Sequence, residues 1–154
     1  MKHKINLQRD FLDFLLLCNK HGVEYLVIGG YAVSIHGYPR STKDMDICIR
    51  LSESNASKML LVIKDFGFES LLLKREDFLK EHFITQLGHE PVRIDILNDL
   101  DGVPFEVAWV NRKEVVYEGV KINFIGYNEL LQVKARAGRP QDIADISKLK
   151  KRNK

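Results

Sequence analysis

Two aspartates separated by one residue, inside an apolar stretch, place the strongest constraint on how this chain folds. Asp44 and Asp46 open the segment DMDICIR, which ends at Arg50 and is otherwise mainly apolar. Because alternate side chains of a strand point to one face, both carboxylates are predicted to lie side by side. Adjacent anions repel each other unless a positive charge lies between them. The segment therefore predicts either a divalent metal site or a strand end where Arg40 or Lys43 neutralises the carboxylates.

A glycine pair precedes this segment. Residues 24–28 form a short apolar run typical of a buried strand, and Gly29-Gly30 then turns the chain into a helix predicted to start near Tyr31. Backbone N–H groups at such a turn favour an anion such as a nucleotide phosphate, although a plain strand-to-helix turn is the alternative. The chain lacks G-x-x-x-x-G-K-[ST], which excludes a P-loop, and it lacks the dinucleotide fingerprint G-x-G-x-x-G.

A third carboxylate occupies a later strand. In VRIDIL, residues 92–97, Ile94 and Ile96 alternate with Arg93 and Asp95. An unpaired carboxylate within an apolar strand is unfavourable, so Asp95 is expected to converge with Asp44 and Asp46 from a neighbouring strand. Three carboxylates form an oxygen-rich site that suits Mg²⁺.

Helical and strand patterns together cover most of the chain. Helices are predicted over residues 6–20, 52–66 and 127–137 and from Pro140 into the basic tail; strands are predicted over 24–28, 44–50, 82–87, 92–97, 114–117 and 120–124, with residues 88–91 as a hairpin turn. Residues 68–73 are expected as a strand or extended edge, 76–80 as a charged connection, and 105–110 as a short helix or strand. The pattern indicates an α/β (α+β) fold with a mixed sheet of four to six strands, flanking helices and a helical C-terminal end. A length of 154 residues suits a single domain.

Composition excludes several classes of protein. Apolar residues make up 45% and charged residues 29%, which is typical of globular proteins, and no apolar run approaches the roughly 18 residues that span a bilayer. Asp10 and Asp13 interrupt the N-terminal apolar stretch, so no signal peptide is expected. Cys18 and Cys48 are interpreted as two buried thiols in a reducing compartment, which favours the cytoplasm. Much of the net charge of +3 comes from the tail, where basic residues favour a solvated helix end over a nucleic-acid patch; these are Lys148, Lys150, Lys151, Arg152 and Lys154.

Two segments carry a resemblance to a known family. GGYAVSIHGYPRSTKDMDI, residues 29–47, resembles the core signature of the nucleotidyltransferase (DNA polymerase β-like) superfamily. Its H-G-x-x-R-x-T-x-D-x-D form is similar to the abortive-infection type nucleotidyltransferase-like proteins, some of which are toxins of toxin–antitoxin pairs. KARAGRPQDIADI, residues 134–146, resembles the K-x-x-A-G-R-x-x-D-x-x-D segment of that group. Lincosamide and aminoglycoside nucleotidyltransferases share a looser version of the first signature.

The resemblance implies a mixed, twisted sheet with flanking helices, a catalytic core at about residues 22–100 and a helical segment at about 126–152. It also implies roles for individual residues, as follows: Gly29 and Gly30 bind nucleotide phosphates; Asp44, Asp46 and Asp95 ligate metal, with Asp95 also activating the attacking hydroxyl; Lys134 contacts phosphates; Asp142 or Asp145 is the late acidic residue; and Arg40, Thr42 and Arg139 contact phosphate or brace the site. The family more often has serine at the second glycine. Ser41 or Thr42 is expected to compensate for the missing hydroxyl, or nucleotide binding is weaker.

The predicted function is a nucleotidyltransferase dependent on Mg²⁺ or Mn²⁺. It would move an NMP from a nucleoside triphosphate such as ATP to a hydroxyl of a protein, a tRNA or a small molecule, as a possible toxin–antitoxin or abortive-infection component with a partner protein. Two alternatives stay open, a non-catalytic binding or antitoxin subunit and an antibiotic nucleotidyltransferase. The three retained carboxylates favour the enzyme, and the short chain with its K-A-R-A-G-R segment disfavours the antibiotic class.

Overall fold

The computed structural model describes residues 5–68 and 72–154, and its described strands form one mixed sheet in the order β3-β4-β2-β1-β6-β5. The strands are β1 (Tyr25–Ile28), β2 (Asp44–Ile49), β3 (Ile84–His89), β4 (Val92–Leu97), β5 (Lys113–Tyr117) and β6 (Val120–Phe124). β1 pairs antiparallel with β2 and parallel with β6, and β2 pairs parallel with β4. β3 and β5 are the edge strands, each antiparallel to its inner neighbour. The predicted mixed sheet is confirmed, with the upper number of strands.

Helices flank the sheet. They are α1 (Arg9–His21), α2 (Gly29–Ile35), α3 (Glu53–Phe66), α4 (Phe105–Val110), α5 (Tyr127–Ala137) and α6 (Pro140–Arg152), with a 3-10 helix at Arg75–Leu79. Gly22, Gly67 and Gly138 end α1, α3 and α5 in the left-handed conformation, as their sequence positions predict. No helix in the described ranges is long and apolar enough to cross a membrane.

The core forms where the helices pack on the two central strands, β1 and β2. All four residues of β1 are buried, and the β2 side chains that alternate with the aspartates, Met45, Ile47 and Ile49, are at most 1% exposed. Phe11, Phe14 and Leu15 of α1 belong to the same core, and both cysteines are buried free thiols, as predicted. This packing fixes the inner strands, and β2 presents its aspartates on the face opposite to Met45 and Ile47.

Several predicted boundaries differ from the structure, most by one to three residues. The helix after β1 begins at Gly29 itself rather than near Tyr31. The first hairpin strand begins at Ile84 rather than at residue 82, and Gly88 and His89 continue it, paired with Arg93 and Val92, so that the turn shortens to Glu90-Pro91. The charged connection at 76–80 folds largely as the 3-10 helix.

Three further predictions concern residues 105–110, residues 68–73 and the basic tail. Residues 105–110 form a helix, α4. The strand or edge predicted at 68–73 includes 69–71, which lie outside the described residues, while Phe68 and residues 72–74 belong to no strand. The basic residues of the tail are exposed at the end of α6, which confirms a solvated helix end.

Candidate active site

The three aspartates predicted to converge do so on β2 and β4. Because these strands are parallel neighbours, Asp46 lies directly opposite Asp95 and Asp44 lies opposite Arg93. One carboxylate oxygen from each aspartate lies within 4.8 Å of the other two, and all three residues are half-buried. The strand register therefore concentrates three negative charges in one place.

Arg93 neutralises part of this charge. Its Nη2 and Nε donate to the two carboxylate oxygens of Asp95 at 3.0 and 3.1 Å, and its Nε lies 3.9 Å from Oδ2 of Asp44. The sequence also offers Arg40 or Lys43 as the partner of the aspartates. This prediction is wrong for Arg40, which pairs with Asp145. Among the described residues, the ion pairs of the aspartates are with Arg93 and not with Lys43. Sequence reasoning missed Arg93, although its position two residues before Asp95 places both on one strand face.

The surroundings of Asp46 disfavour its ionised form. Burial, followed by the charges of Asp44 and Asp95, raises the pKa of Asp46 to about 7, while Arg93 acts in the opposite direction. One arginine thus leaves the cluster short of positive charge.

The first glycine of the pair packs directly against this cluster, and the second packs against Thr42. Gly29 has φ +68°, and a Cβ on it would lie 2.5 Å from Oδ2 of Asp46. A Cβ on Gly30 would lie 2.8 Å from both Cβ and Oγ1 of Thr42. The first position therefore excludes a side chain because of Asp46, and the second because Thr42 fills the adjoining space.

Thr42 also contacts the strand that carries the aspartates. Its Oγ1 donates to the backbone oxygen of Asp44 at 3.0 Å, which braces the turn. Ser41, next to it, is exposed. Neither Ser41, Thr42 nor Arg40 lines the cleft in which Asp46 and Asp95 lie.

That cleft, about 240 Å³ in volume, joins the aspartates to the C-terminal helices. One wall carries Gly29, Asp46 and Asp95, and another carries Lys134, Arg139 and Asp142. Asp99 and Asp101, which sequence reasoning did not single out, also line it. The two sequence segments that carry the family resemblance therefore meet across one cleft.

A buried cluster of charges supports the second wall. The Lys134 Nζ lies 2.9 Å from Oδ2 of Asp145 and 3.3 Å from Oδ1 of Asp142, and the Lys134 side chain is only 7% exposed. Arg40 reaches the same Asp145 oxygen at 3.1 Å. Lys134, which the sequence predicts to contact phosphate, is thus paired with two carboxylates, and Arg40 ties the turn before β2 to α6.

Arg139 is the accessible cation of the cleft. Its Nε donates to Asp142 at 2.7 Å, yet its side chain is 75% exposed. Asp142 also accepts from the backbone N–H of Arg139 and so caps α6. This arrangement leaves the guanidinium of Arg139 at the mouth of the cleft.

Comparison with known proteins identifies the family. Residues 8–154 match the model of a family described as nucleotidyl transferase of unknown function (DUF2204). The chain belongs to this nucleotidyl transferase family. No curated protein matches the chain significantly.

Solved nucleotidyltransferase structures share the fold. A candidate nucleotidyltransferase from Thermotoga maritima, TM1012, aligns with a TM-score of 0.62 and 16% identity, covering 95% of this chain and 96% of that one. The lincosamide antibiotic adenylyltransferase LnuA, in a lincomycin-bound structure, aligns with a TM-score of 0.58 and 18% identity, covering 96% and 98%. An antigenic nucleotidyltransferase-like protein from Paracoccidioides brasiliensis gives 0.55 and 17%, covering 91% and 74%. The nucleotidyltransferase-like fold is confirmed, whereas the closer resemblance to the abortive-infection group stays a prediction.

For a nucleotidyltransferase, the donor set of the aspartate cluster fits a divalent metal. All three donors are carboxylates, and Mg²⁺ and Mn²⁺ prefer such hard oxygen ligands. Asp44, Asp46 and Asp95 would hold the ion, with Arg93 as the adjoining cation.

Proposed function

We propose that this protein is a metal-dependent nucleotidyltransferase that moves an NMP from a nucleoside triphosphate to an acceptor hydroxyl. The observation that carries the proposal is the convergence of three carboxylates from adjacent strands within 4.8 Å. Two of them, Asp46 and Asp95, line a cleft whose other wall presents Arg139. A site of this kind combines metal ligands with a cation for phosphate, which phosphoryl transfer needs.

Asp44, Asp46 and Asp95 are the proposed metal ligands. A bound Mg²⁺ would neutralise charge on the α-phosphate and on the departing pyrophosphate. The mutual repulsion of the aspartates and the burial of Asp46 support this assignment, since a single arginine contacts the group among the described residues.

The nucleotide is proposed to lie in the cleft. Gly29 lines the cleft next to Asp46, and Gly30 follows it in the first turn of α2 beside Thr42. The backbone of this glycine pair is proposed to bind the phosphates. Arg139 contributes an exposed guanidinium, which can bind phosphate in a bidentate manner. Contact of Lys134 with phosphate stays a prediction, because in this structure its ammonium binds Asp142 and Asp145 and positions α6.

Arg40, Ser41 and Thr42 are proposed to act mainly by holding the turn before β2. Arg40 binds Asp145, and Thr42 binds the backbone of Asp44. The side chain of Thr42 occupies the space beside Gly30, so a serine at position 30 would displace it. Compensation for that serine by Thr42 or Ser41 remains a prediction.

The reaction is an in-line displacement at the α-phosphorus. The acceptor oxygen forms a bond to that phosphorus, and the bond from phosphorus to the oxygen that bridges to the β-phosphate breaks. Pyrophosphate leaves with the bonding electron pair, and Asp95 is proposed to accept the hydroxyl proton. Arg93, bound to Asp95 through two hydrogen bonds, fixes the orientation of that carboxylate.

Transfer of labelled NMP tests the proposal. Wild-type protein, each α-labelled nucleoside triphosphate, Mg²⁺ and a cell lysate should yield a labelled acceptor, and Asp44→Ala with Asp46→Ala should abolish the label. The matched control is Asp10→Ala with Asp13→Ala on α1, since it removes one exposed and one partly exposed aspartate that do not line the cleft. Unchanged labelling by the double variant of β2, with a native circular dichroism spectrum, would refute the proposal.

The same assay separates the alternatives. A non-catalytic binding or antitoxin subunit would bind nucleotide and label nothing. A protein or tRNA acceptor would carry the label in macromolecular fractions, and an antibiotic or other small-molecule acceptor would not. A role in a toxin–antitoxin or abortive-infection system, and with it a partner protein, stays a prediction from the resemblance.

A further inference from the structure

The side chain of Arg93 occupies both oxygens of Asp95. Its Nη2 donates to Oδ2 at 3.0 Å and its Nε donates to Oδ1 at 3.1 Å, which is the two-pronged contact that a guanidinium forms with a carboxylate. The same Nε lies 3.9 Å from Oδ2 of Asp44. The guanidinium thus holds one proposed metal ligand and adjoins a second.

A metal ion at the three aspartates would compete with this contact. The ion would take one oxygen from each of Asp44, Asp46 and Asp95, and both oxygens of Asp95 already accept a hydrogen bond from Arg93. A divalent ion and a guanidinium on the same carboxylate also repel each other, because both are positive and only a few ångströms apart. Binding of the ion through Asp95 therefore weakens the contact with Arg93.

Arg93 is placed so that it can yield. Its side chain is 37% exposed, so the N–H groups that leave Asp95 can bind water instead. Lys134, on the other wall of the cleft, is different: its side chain is 7% exposed and lies between two carboxylates that are almost fully buried. Release of Lys134 would leave buried charges uncompensated, whereas release of Arg93 would not.

The strand register leaves room for this movement. Arg93 lies opposite Asp44 on β2 and opposite Gly88 on β3. Because Gly88 has no side chain, the β3 neighbour offers the guanidinium neither a second partner nor a barrier. The backbone of Arg93 stays fixed between these two strands, so a released guanidinium remains close to the aspartates.

We propose that Arg93 is a tethered counter-ion of the metal site. It holds Asp95 through two hydrogen bonds while no ion is bound, and it gives up one of them when a divalent ion binds. Arg93 thereby keeps the aspartates together without metal and lowers the affinity for metal, so that the ion exchanges readily. The inference rests on the proposed metal-dependent function and adds to it a positioning residue that sets the metal affinity.

Mn²⁺ affinity, measured by electron paramagnetic resonance of the free ion, tests the competition. Arg93→Gln should bind Mn²⁺ at least about tenfold more tightly than wild type, because the competing charged hydrogen bonds are gone. A residue that only supported the shape of the site would lower the affinity when removed. Arg93→Lys keeps the charge but cannot form the two-pronged contact, so it should also bind more tightly, by a smaller factor.

Lys43→Gln is the matched control for charge. Lys43 is exposed and precedes Asp44 in the chain, but among the described residues it forms no ion pair with the aspartates. Its replacement removes a nearby positive charge without removing a contact. The Mn²⁺ affinity should therefore change much less than in Arg93→Gln.

Rotation of the guanidinium about its Nε–Cζ bond, measured by nuclear magnetic resonance, reports the contact itself. The Arg93 signal is assigned by its absence in Arg93→Lys. Its rotation should be slow in the metal-free protein, because two hydrogen bonds hold it, and should become faster on saturation with Mg²⁺. The rotation of Arg9, which pairs with Asp13 on α1, should stay the same.

Each measurement has an outcome that overturns the inference. Mn²⁺ affinity in either Arg93 variant that equals or falls below that of wild type would do so. An effect of Lys43→Gln as large as that of Arg93→Gln, or unchanged rotation of Arg93 in Mg²⁺, would do so as well.

Failure of the proposed function has a separate signature. Absence of Mn²⁺ binding in both wild type and Arg93→Gln would refute the metal-dependent function itself. Binding that depends on the aspartates but not on Arg93 would refute only the role of the tethered counter-ion.

Discussion

At the scale of residues, the site depends on how closely Gly29 approaches Asp46. The backbone of Gly29 turns at φ +68°, where a side chain is strained, and the space its Cβ would need is occupied by a carboxylate oxygen. The sequence predicts the glycine turn and the aspartate pair, because both follow from short-range patterns. It does not predict that they touch, since this contact depends on how β1 and β2 pair.

Gly29→Ala should therefore affect both stability and metal binding. The left-handed backbone costs about 1–2 kcal/mol for a residue with a side chain, and the methyl group additionally displaces Asp46. Urea unfolding and Mn²⁺ titration measure the two effects.

Gly67→Ala is the matched control for this change. Gly67 has φ +98°, yet nothing lies within 4 Å of its Cβ position. Gly67→Ala should lose only the roughly 1–2 kcal/mol of the left-handed backbone and keep wild-type Mn²⁺ affinity. Equal Mn²⁺ affinity in both variants would show that Gly29 does not support Asp46.

At the scale of elements, α5 and α6 are held to the sheet by a buried cluster of charges. Asp145 is fully buried and accepts from Lys134, Arg40 and Gln141 at 2.9, 3.1 and 2.9 Å. The K-x-x-A-G-R-x-x-D-x-x-D pattern contains Lys134 and Asp145, and the family resemblance assigns Lys134 to phosphate, which stays a prediction. The pattern alone cannot separate the two roles, because a lysine that binds carboxylates and one that binds phosphate occur at the same helical spacing.

Asp145→Asn should strongly destabilise the protein. Removing one charge leaves Lys134 and Arg40 partly uncompensated in a buried environment, which costs about 3–5 kcal/mol. Asp13→Asn on α1, which breaks an exposed ion pair with Arg9, should change stability little. Urea denaturation measures the free energy of unfolding of both variants. A similarly small decrease in both would mean that the cluster does not hold α6 to the sheet.

Acid should weaken the same cluster through Asp142. Burial alone would raise the pKa of Asp142, but the hydrogen bond from Arg139 and the charge of Lys134 hold it below its usual value. Its contribution is therefore complete above the unfolded-state pKa of about 3.9 and is lost as the pH falls below that.

The measurement is the free energy of unfolding in urea between about pH 3 and 7. Wild type should lose more stability than Asp142→Asn as the pH falls below about 4, because only wild type then has this carboxylate to protonate. Parallel curves for the two proteins would contradict the stabilising role of the ionised Asp142.

At the scale of the whole molecule, two parallel strand pairings, β2 with β4 and β1 with β6, join the two halves of the chain. β1 pairs with β2 from the N-terminal half and with β6 from the C-terminal half, through Val27 and Phe124. The sequence predicts the strands but not this order, because a pairing that joins residues about 100 positions apart leaves no local pattern. The sequence pattern likewise makes the turn between β3 and β4 too long, because the pairing of Gly88 and His89 with β4 limits it to Glu90-Pro91.

This arrangement predicts that the chain unfolds as a single unit. Trp109 is the only tryptophan and lies in α4, so its fluorescence reports the C-terminal half, whereas far-ultraviolet circular dichroism reports all helices. Both signals should give the same urea midpoint. Phe124→Ala should lower both midpoints together and reduce the free energy of unfolding by about 3–5 kcal/mol. Separate midpoints would show two independent units.

The most direct test of the central claim is Mn²⁺ binding at the three aspartates, measured by electron paramagnetic resonance of the free ion. Wild type should bind Mn²⁺ in competition with Mg²⁺, and Asp46→Asn, which keeps the shape of the side chain but removes its charge, should bind at least about tenfold more weakly. Equal binding by wild type and Asp46→Asn, or no binding by wild type, would contradict the assignment of Asp44, Asp46 and Asp95 as the metal site of a nucleotidyltransferase.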